Sequence, residues 1–356
     1  MVLVEEGPTG FPTEEAVSEL KSLCLTAGFP ANEVERVVVR EPNPATFLGK
    51  GKVWEIAERI KETGVNLAVL NLDLSGVQHR NLNKAWGVEI IDRTSLILQI
   101  FSKHAHSAAG KLQVDLARAN YFLSRLTGRG VLLSRLGGGI GTRGPGEMKL
   151  EEERRKIRER IQRIENRIAN LKGQWHRTRA LRQSRGLPEI ALVGYTNAGK
   201  SALLNALCGK EATLVADKLF ATLDTTTRRI YFGENRIAVV TDTVGFIHNL
   251  PHSLVAAFHA TLEGIASAQL IALVLDGSSP LIEKHLQTAR EVLKEISADN
   301  IPTIQVINKI DLLTPEQMDR LARKFPEASF VSALTHQGLD QLKEKVAAKV
   351  WTNQNS

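Results

Sequence analysis

Cysteine is nearly absent: two residues in 356, Cys24 and Cys208, far apart in the chain. That excludes a disulfide-stapled scaffold and a cysteine-built zinc site, and it fits a reducing compartment. No apolar run reaches the ~18 residues needed to cross a bilayer, so no membrane span is expected. The opening residues, Met1-Val2-Leu3-Val4-Glu5-Glu6, lack the basic and apolar regions of a secretion signal. A cytoplasmic protein is therefore expected. The 43% hydrophobic and 24% charged residues exclude disordered and collagen-like classes and suffice for a sizeable core. The length corresponds to roughly two domains at about 100–200 residues each.

The charge is unevenly placed. Between Glu147 and Arg185 stand 13 Lys and Arg against 6 Glu, a surplus equal to the whole chain's +7. A localised basic stripe points to a polyanionic partner, and a solvated helix face is the alternative.

Three regions follow from the patterning. In 1–103, helical patterns at 13–27 and 50–63 alternate with strand-like runs at 34–40, 66–72 and 88–92. That predicts a small α/β unit with parallel pairing. His79 and Asp73 read there as isolated surface or capping residues. In 104–187, a helical pattern over 107–126 precedes eight glycines between Gly128 and Gly146, together with Arg129, Arg135 and Arg143. Leu150, Ile157, Ile161, Ile164, Ile168, Leu171 and Trp175 then form a heptad-like seam. A long antiparallel helical hairpin with a glycine-rich basic loop is expected, its seam packing on the first helix and leaving a monomer. Glycines permit close backbone approach, and arginines supply forked donors for phosphate. The three arginines are therefore the candidate RNA contacts, a plain connector being the alternative.

Region 188–356 carries the chemistry. An apolar strand, Glu189–Val193, runs into Gly194-Tyr195-Thr196-Asn197-Ala198-Gly199-Lys200-Ser201, and an apolar helical pattern follows. G-x-x-x-x-G-K-S between a strand and a helix is the phosphate-binding loop. Its backbone N–H groups cradle phosphates, Lys200 reaches the β/γ-phosphates, and Ser201 offers a hydroxyl to Mg²⁺. A second buried strand ends in Asp242-Thr243-Val244-Gly245, where Asp242 can hold the Mg²⁺ shell through water and the Gly245 N–H can reach the γ-phosphate. A third leads to Asn308-Lys309-Ile310-Asp311. The Asp311 carboxylate can accept from N1–H and the 2-amino group of guanine, donors that adenine lacks. Asn308 can bridge base and loop, and the Lys309 stem can cover the nucleoside. In Ser332-Ala333-Leu334, a backbone N–H near Ala333 can bond the guanine oxygen. Joined in this order, the motifs predict a P-loop GTPase domain: a mostly parallel sheet with helices on both faces, converting GTP to GDP and phosphate. Phe220-Ala221-Thr222-Leu223-Asp224 suits a first switch, with Thr222 the preferred Mg²⁺ ligand and Thr227 second. Lys200, Gly245 and Phe246 mark the catalytic neighbourhood. Phe246 stands where a water-orienting glutamine is expected and cannot hydrogen-bond, so slow intrinsic turnover is expected, raised by a partner.

The phosphate loop, the Phe-Ala-Thr-Leu-Asp segment and Asp242-Thr243-Val244-Gly245-Phe246-Ile247 together resemble the HflX family of GTPases. Gly139-Ile140-Gly141-Thr142-Arg143-Gly144-Pro145-Gly146-Glu147, Gly49-Lys50-Gly51-Lys52 and Gly110-Lys111-Leu112-Gln113-Val114 resemble it as well. Met148-Lys149 departs from the family pattern, and the chain stops one helix beyond Ser332. The resemblance implies binding of the large ribosomal subunit and its rRNA through the hairpin and the N-terminal unit, with splitting or rescue of stalled ribosomes. Asn197 matches an asparagine with which related GTPases bind K⁺; simple capping of the loop is the alternative. His248 and His252 are expected beside the second switch. The rival class is an RNA-maturation or tRNA-modification GTPase that binds free RNA.

Overall fold

Short β-branched runs separated by amphipathic helices build the first of two units into which the chain divides: Met1–Lys103 with Leu112–Arg167, against His104–Lys111 with Ile168–Ser356. The structure is a computed structural model and describes residues 2–6, 13–31, 33–133, 145–184, 186–209, 220, 224–247 and 264–351. The first unit opens with β1 (Val2–Glu6), α1 (Thr13–Ala27), β2 (Glu35–Val39), α2 (Lys50–Thr63), β3 (Leu67–Val69), α3 (Gly76–Trp86), β4 (Glu89–Ile91) and α4 (Arg93–His104). β1 pairs with β2 and β3 with β4, both in parallel. The three expected strands are present but shorter. Gly64 ends α2 in the left-handed conformation (φ 65°), its N–H donating to the Ile60 carbonyl. Helix α3 begins at a capping box in which Ser75 and Gln78 satisfy each other's backbone N–H. Apolar side chains of β2, α2, α3 and β4, among them Val37, Ile56, Leu82, Trp86 and Ile90, share one core.

One carboxylate knits this unit together. Asp92 is fully buried and accepts from the N–H groups of Leu74 (3.2 Å) and Ser95 (2.9 Å) and from the Tyr121 hydroxyl (2.7 Å). The Arg125 guanidinium completes the set. Burial and the adjacent Asp92 charge hold the Tyr121 phenol well above its ordinary range, so it stays a donor. Asp73 accepts from the Thr94 N–H (3.0 Å), and the His79 ring meets the Ile90 carbonyl (2.9 Å), the local roles expected of them. Burial pushes the Cys24 thiol up to about 11, which makes it an inert core residue.

Helices α5 (Ala108–Leu133) and α6 (Pro145–Ser184) follow. Helix α5 outlasts the expected 107–126: it continues through Gly128 and Gly130, so the glycine-rich stretch begins as helix. Each glycine costs about 1 kcal/mol against alanine in a helix, and the apolar Val131-Leu132-Leu133 run continues the helical pattern beyond them. Arg154 donates to the Leu126 carbonyl (3.0 Å) and Arg160 pairs with Asp115 (3.7 Å), which fixes an antiparallel register for these two helices. The seam is visible as burial, with Ile164 and Ile168 buried and Leu150, Ile157 and Ile161 half-buried between exposed flanks. Arg129 lies in α5. Arg135 and Arg143 fall outside the described residues.

The second unit holds β5 (Glu189–Gly194), α7 (Lys200–Leu207), β6 (Thr226–Tyr231), β7 (Ile237–Asp242), β8 (Leu270–Asp276), α8 (Ile282–Glu295), β9 (Thr303–Asn308), α9 (Pro315–Lys324), β10 (Ser329–Phe330) and α10 (Leu339–Trp351). Six strands form one sheet in the order β10-β9-β8-β5-β7-β6, parallel except for the β6–β7 pair. Strand alternation divides its side chains between two cores. Ile190, Leu192, Ala272 and Val274 face α7 and α10, while Ala191, Val193, Leu273 and Leu275 face α8. This is the expected α/β domain with helices on both faces. Among the described residues, no helix is long and apolar enough to cross a membrane.

Asp92→Ala should lower the stability of the protein by about 3–5 kcal/mol, because it leaves the Arg125 charge and the Tyr121 hydroxyl without their acceptor. Urea unfolding followed by tryptophan fluorescence measures this. A change below about 1 kcal/mol would contradict the role given to Asp92.

Candidate functional site

Parallel strands deliver their loops to one edge of the sheet, and a crevice opens where the connections from neighbouring strands diverge. Here that point is the end of β5, flanked by β7 on one side and β8 on the other. The 194–201 loop leaves β5 there and turns into α7. Gly199 is the helix N-cap in the left-handed region (φ 84°), and a Cβ on it would fall 2.2 Å from Asn308 Nδ2. Only glycine meets both conditions. Asn197 is also left-handed (φ 60°) and exposed, a conformation that asparagine tolerates.

Lys200 is buried, and its Nζ donates to the carbonyls of Gly194 (3.2 Å) and Tyr195 (3.0 Å). Burial lowers its pKa to about 8, against the upward pull of the nearby Asp242 carboxylate. The Ser201 hydroxyl donates to Asp242 Oδ2 at 2.6 Å. Hydroxyl and carboxylate side by side are hard oxygen donors of the kind Mg²⁺ takes. Among the described residues, no group of three or more His, Cys, Asp or Glu gathers elsewhere as an alternative metal site.

Past β7 the chain is sewn to the phosphate loop. The Thr196 N–H donates to the Phe246 carbonyl (2.7 Å), and the Phe246 N–H donates to that of Gly194 (3.0 Å). Gly245 backs onto Thr196 and Lys200. The Phe246 ring is buried and belongs to the core on the α8 side of the sheet. Thr243 gives its hydroxyl to the Leu192 carbonyl (2.7 Å), and Val244 is buried, so both serve packing.

At the end of β9, Asn308 is buried and donates to the Ala198 carbonyl (3.0 Å) while accepting from the Ala333 N–H (3.0 Å). Lys309 is left-handed (φ 64°) and pairs with Asp276 at 2.7 Å. Ile310 is buried at the start of a short 3₁₀ turn. Asp311 accepts from the Ser332 hydroxyl at 2.5 Å, and Ser332 Oγ in turn accepts from the Thr335 N–H (3.0 Å). Leu334 is exposed beside this turn.

The structure thus gathers Gly194 to Ser201, Asp242 to Phe246, Asn308 to Asp311 and Ser332 to Leu334 at one sheet edge. Phe220 is buried and left-handed (φ 57°). Ala221, Thr222, Leu223, His248 and His252 lie outside the described residues. Thr227 stands in β6 with its hydroxyl 3.2 Å from that of Thr241. Asp224 holds the N-terminus of α5, with Ser107 and His106 as its partners. Two neighbours escape the motif pattern. Tyr195 stacks on His285 of α8 with ring centroids 3.9 Å apart, and Asp276 ends β8. An acidic residue closing a buried strand was a legible signal for Asp276; the Tyr195–His285 stack has no local signature.

Three family models match the chain in succession. They are described as GTP-binding GTPase N-terminal (residues 14–102), GTP-binding GTPase middle region (104–182) and 50S ribosome-binding GTPase (189–309). The chain is 45% identical over 340 residues to the GTPase HflX of Caldanaerobacter subterraneus, covering 95% of this chain and 78% of that protein. It is 41% identical over 338 residues to the GTPase HflX of Escherichia coli, covering 94% and 79%. Among solved structures, the complex of SsGBP with GDP shares the fold at 22% identity and a TM-score of 0.50, covering 99% of this chain and 98% of that one.

Asn308→Ala should destabilise the protein by about 1–3 kcal/mol for each backbone group it leaves buried and unpaired, Ala198 C=O and Ala333 N–H. Thermal unfolding without added nucleotide reads this directly. An unchanged midpoint would count against Asn308 as the tie between the two loops.

Proposed function

Because the chain belongs to the HflX family of GTPases, and is therefore a GTP-binding hydrolase, we propose that its target is the large ribosomal subunit, gripped in the triphosphate state and released after hydrolysis. Splitting or rescue of stalled ribosomes is the outcome we assign to that cycle, which places the protein in the cytoplasm. One observation carries the proposal: a guanine-selective phosphate site shares its chain with a 40-residue helix, α6, that holds most of the molecule's surplus positive charge. The first half of that helix is internally balanced, with Glu151 reached by Arg154 and Arg158, and Glu152 paired with Lys156. From Arg163 to Arg182 it carries six basic residues against Glu165 alone. Charge unbalanced in this way along the sequence suits the phosphate backbone of rRNA. The 50S ribosome-binding description of the matching family model supports the same target.

Within the site, Asp311 reads guanine through N1–H and the 2-amino group, and Ser332 holds its carboxylate in place. Lys309 packs its stem on the nucleoside, and the Ala333 N–H is the donor for the guanine oxygen. Lys200 and the N-terminal amides of α7 meet the phosphates. Ser201, Asp242 through water, and Thr222 are the residues that would hold Mg²⁺, which neutralises phosphate charge when bound. Asn197 is the candidate for K⁺. Phe246 gives its ring to the core and offers no hydrogen bond to a water, so turnover of the isolated protein is slow and rises when the partner completes the site.

Two measurements test this. Sedimentation with ribosomal subunits should show co-migration with the large subunit, stronger with a non-hydrolysable GTP analogue than with GDP and weaker as salt rises. Co-migration with free RNA but with no subunit would favour an RNA-maturation role instead. Asp311→Asn replaces an acceptor by a donor. It should lower GTP affinity by about 100-fold or more and turn preference toward xanthosine triphosphate, whose second ring oxygen accepts what the amide donates. Fluorescent-nucleotide titration checks it, and equal GTP affinity would remove Asp311 from base recognition.

A further inference from the structure

One buried hydroxyl of the phosphate loop is unused. Thr196 is 6% exposed, and its Oγ1 has no hydrogen-bond partner among the described residues. Its backbone N–H is engaged, donating to the Phe246 carbonyl at 2.7 Å. The neighbouring side chains of the loop each have an evident use. Tyr195 stacks on His285, Lys200 donates to two carbonyls, and Ser201 donates to Asp242. Asn197 is exposed. Arg125 Nε and Arg154 Nε are buried and unpaired as well, yet each guanidinium is already bound through another nitrogen. Threonine has a single polar group in its side chain. Leaving that group buried and unbonded costs free energy that a valine of the same shape would not.

The surroundings of the hydroxyl point to its ligand. A Cβ on Gly245 would fall 2.8 Å from Thr196 Cα, 2.9 Å from Thr196 Cγ2 and 3.0 Å from Lys200 Nζ. The Thr196 methyl and the Lys200 ammonium therefore meet the same bare backbone at Gly245. The hydroxyl is the other branch of the same stiff Cβ. Lys200 and the Gly245 N–H are donors of the kind that a terminal phosphate collects. Phosphate oxygens accept, so a third donor beside these two complements them. We propose that Thr196 is a substrate-contacting, specificity-determining residue: its hydroxyl donates to a terminal phosphate oxygen of GTP, an atom that GDP lacks. This rests on the placement of the phosphates at the 194–201 loop given above. With GDP the hydroxyl stays unpaired; with GTP it is satisfied. A buried polar group that only one of two ligands can satisfy discriminates between them.

The test is the ratio of affinities for a non-hydrolysable GTP analogue and GDP, measured with Mg²⁺ on the full chain, beside thermal unfolding without nucleotide. Thr196→Val keeps the shape and the methyl contact and removes only the hydroxyl. It should lower the ratio about tenfold or more with GDP affinity unchanged, the loss expected for a hydrogen bond to a charged acceptor. The unfolding midpoint should stay the same or rise, because no bond within the protein is lost. Thr196→Ser keeps the hydroxyl and should keep the ratio. A threonine with a purely structural role gives the opposite pattern, a lower midpoint and an unaltered ratio, and that result would overturn the proposal. So would equal losses for both nucleotides, or a serine variant as weak as the valine one. Lys200→Ala separates failure here from failure of the placement beneath it. If that variant strongly weakens both nucleotides while Thr196→Val leaves the ratio unchanged, the hydroxyl assignment alone falls. If Lys200→Ala binds both nucleotides as the unaltered protein does, the phosphate placement falls with it. Ribosomes enter none of these measurements, so the target proposed above stands or falls separately.

Discussion

A single buried carboxamide joins the loops on which the site stands. Asn308 donates to the Ala198 carbonyl in the phosphate loop and accepts from the Ala333 N–H in the segment after β10, both at 3.0 Å. An amide is the side chain that can do both at once; a carboxylate would have nothing to give Ala198, and a hydroxyl would be too short to span the gap. With 1% of its surface exposed, Asn308 has no water to fall back on, so both bonds must be made. The distance between the 194–201 loop and the turn after β10 is thereby set by one side chain. Gly199 completes the arrangement by leaving room for the amide.

Around that tie the sheet provides rigidity and the loops provide charge. The cation of Lys200, the Ser201–Asp242 pair and the Asp311–Ser332 pair all sit at carboxyl ends of buried strands or just beyond them, each held by at least one hydrogen bond of 3.0 Å or less. Such groups lose little freedom on binding, which is where a preformed site gains its affinity. Backbone hydrogen bonds between Phe246 and the phosphate loop extend the same rigidity to the chain leaving β7.

Much of this was legible from residue order. Fully buried parallel strands read as unbroken apolar runs, so β5, β7 and β9 could be placed, and each ends in a motif whose chemistry depends on residue type. The helix at 50–63 was marked by its glycine stop. Other elements left weaker traces. Helix α3 buries only Leu82 and Trp86 on an otherwise polar surface, too few to show a period, and the Ser75–Gln78 capping box at its start emerges only in the structure. The length of α5 was hidden because Gly128 and Gly130 suggest a loop. Contacts made across long stretches of sequence left no local sign at all: the Tyr195–His285 stack, the Lys309–Asp276 pair and the grip of Asp224 on Ser107 are products of tertiary approach.

The separation of Ser107 and Asp224 also bears on how the chain is made. During synthesis, residues 104–111 leave the exit tunnel more than a hundred residues before the carboxylate that will cap them. Closing so large a loop costs entropy that grows with the logarithm of its length, and the cost is met only once β6 and β7 have begun to form the sheet that carries residue 224. The start of α5 is therefore among the later pieces to settle in the nascent polypeptide, after the helix body beyond it has had time to coil. A chain interrupted before residue 224 would keep the local Ser107 cap on Gly110 but leave the N–H groups of His106 and Ser107 without their carboxylate, a weaker start to the helix than the finished protein has.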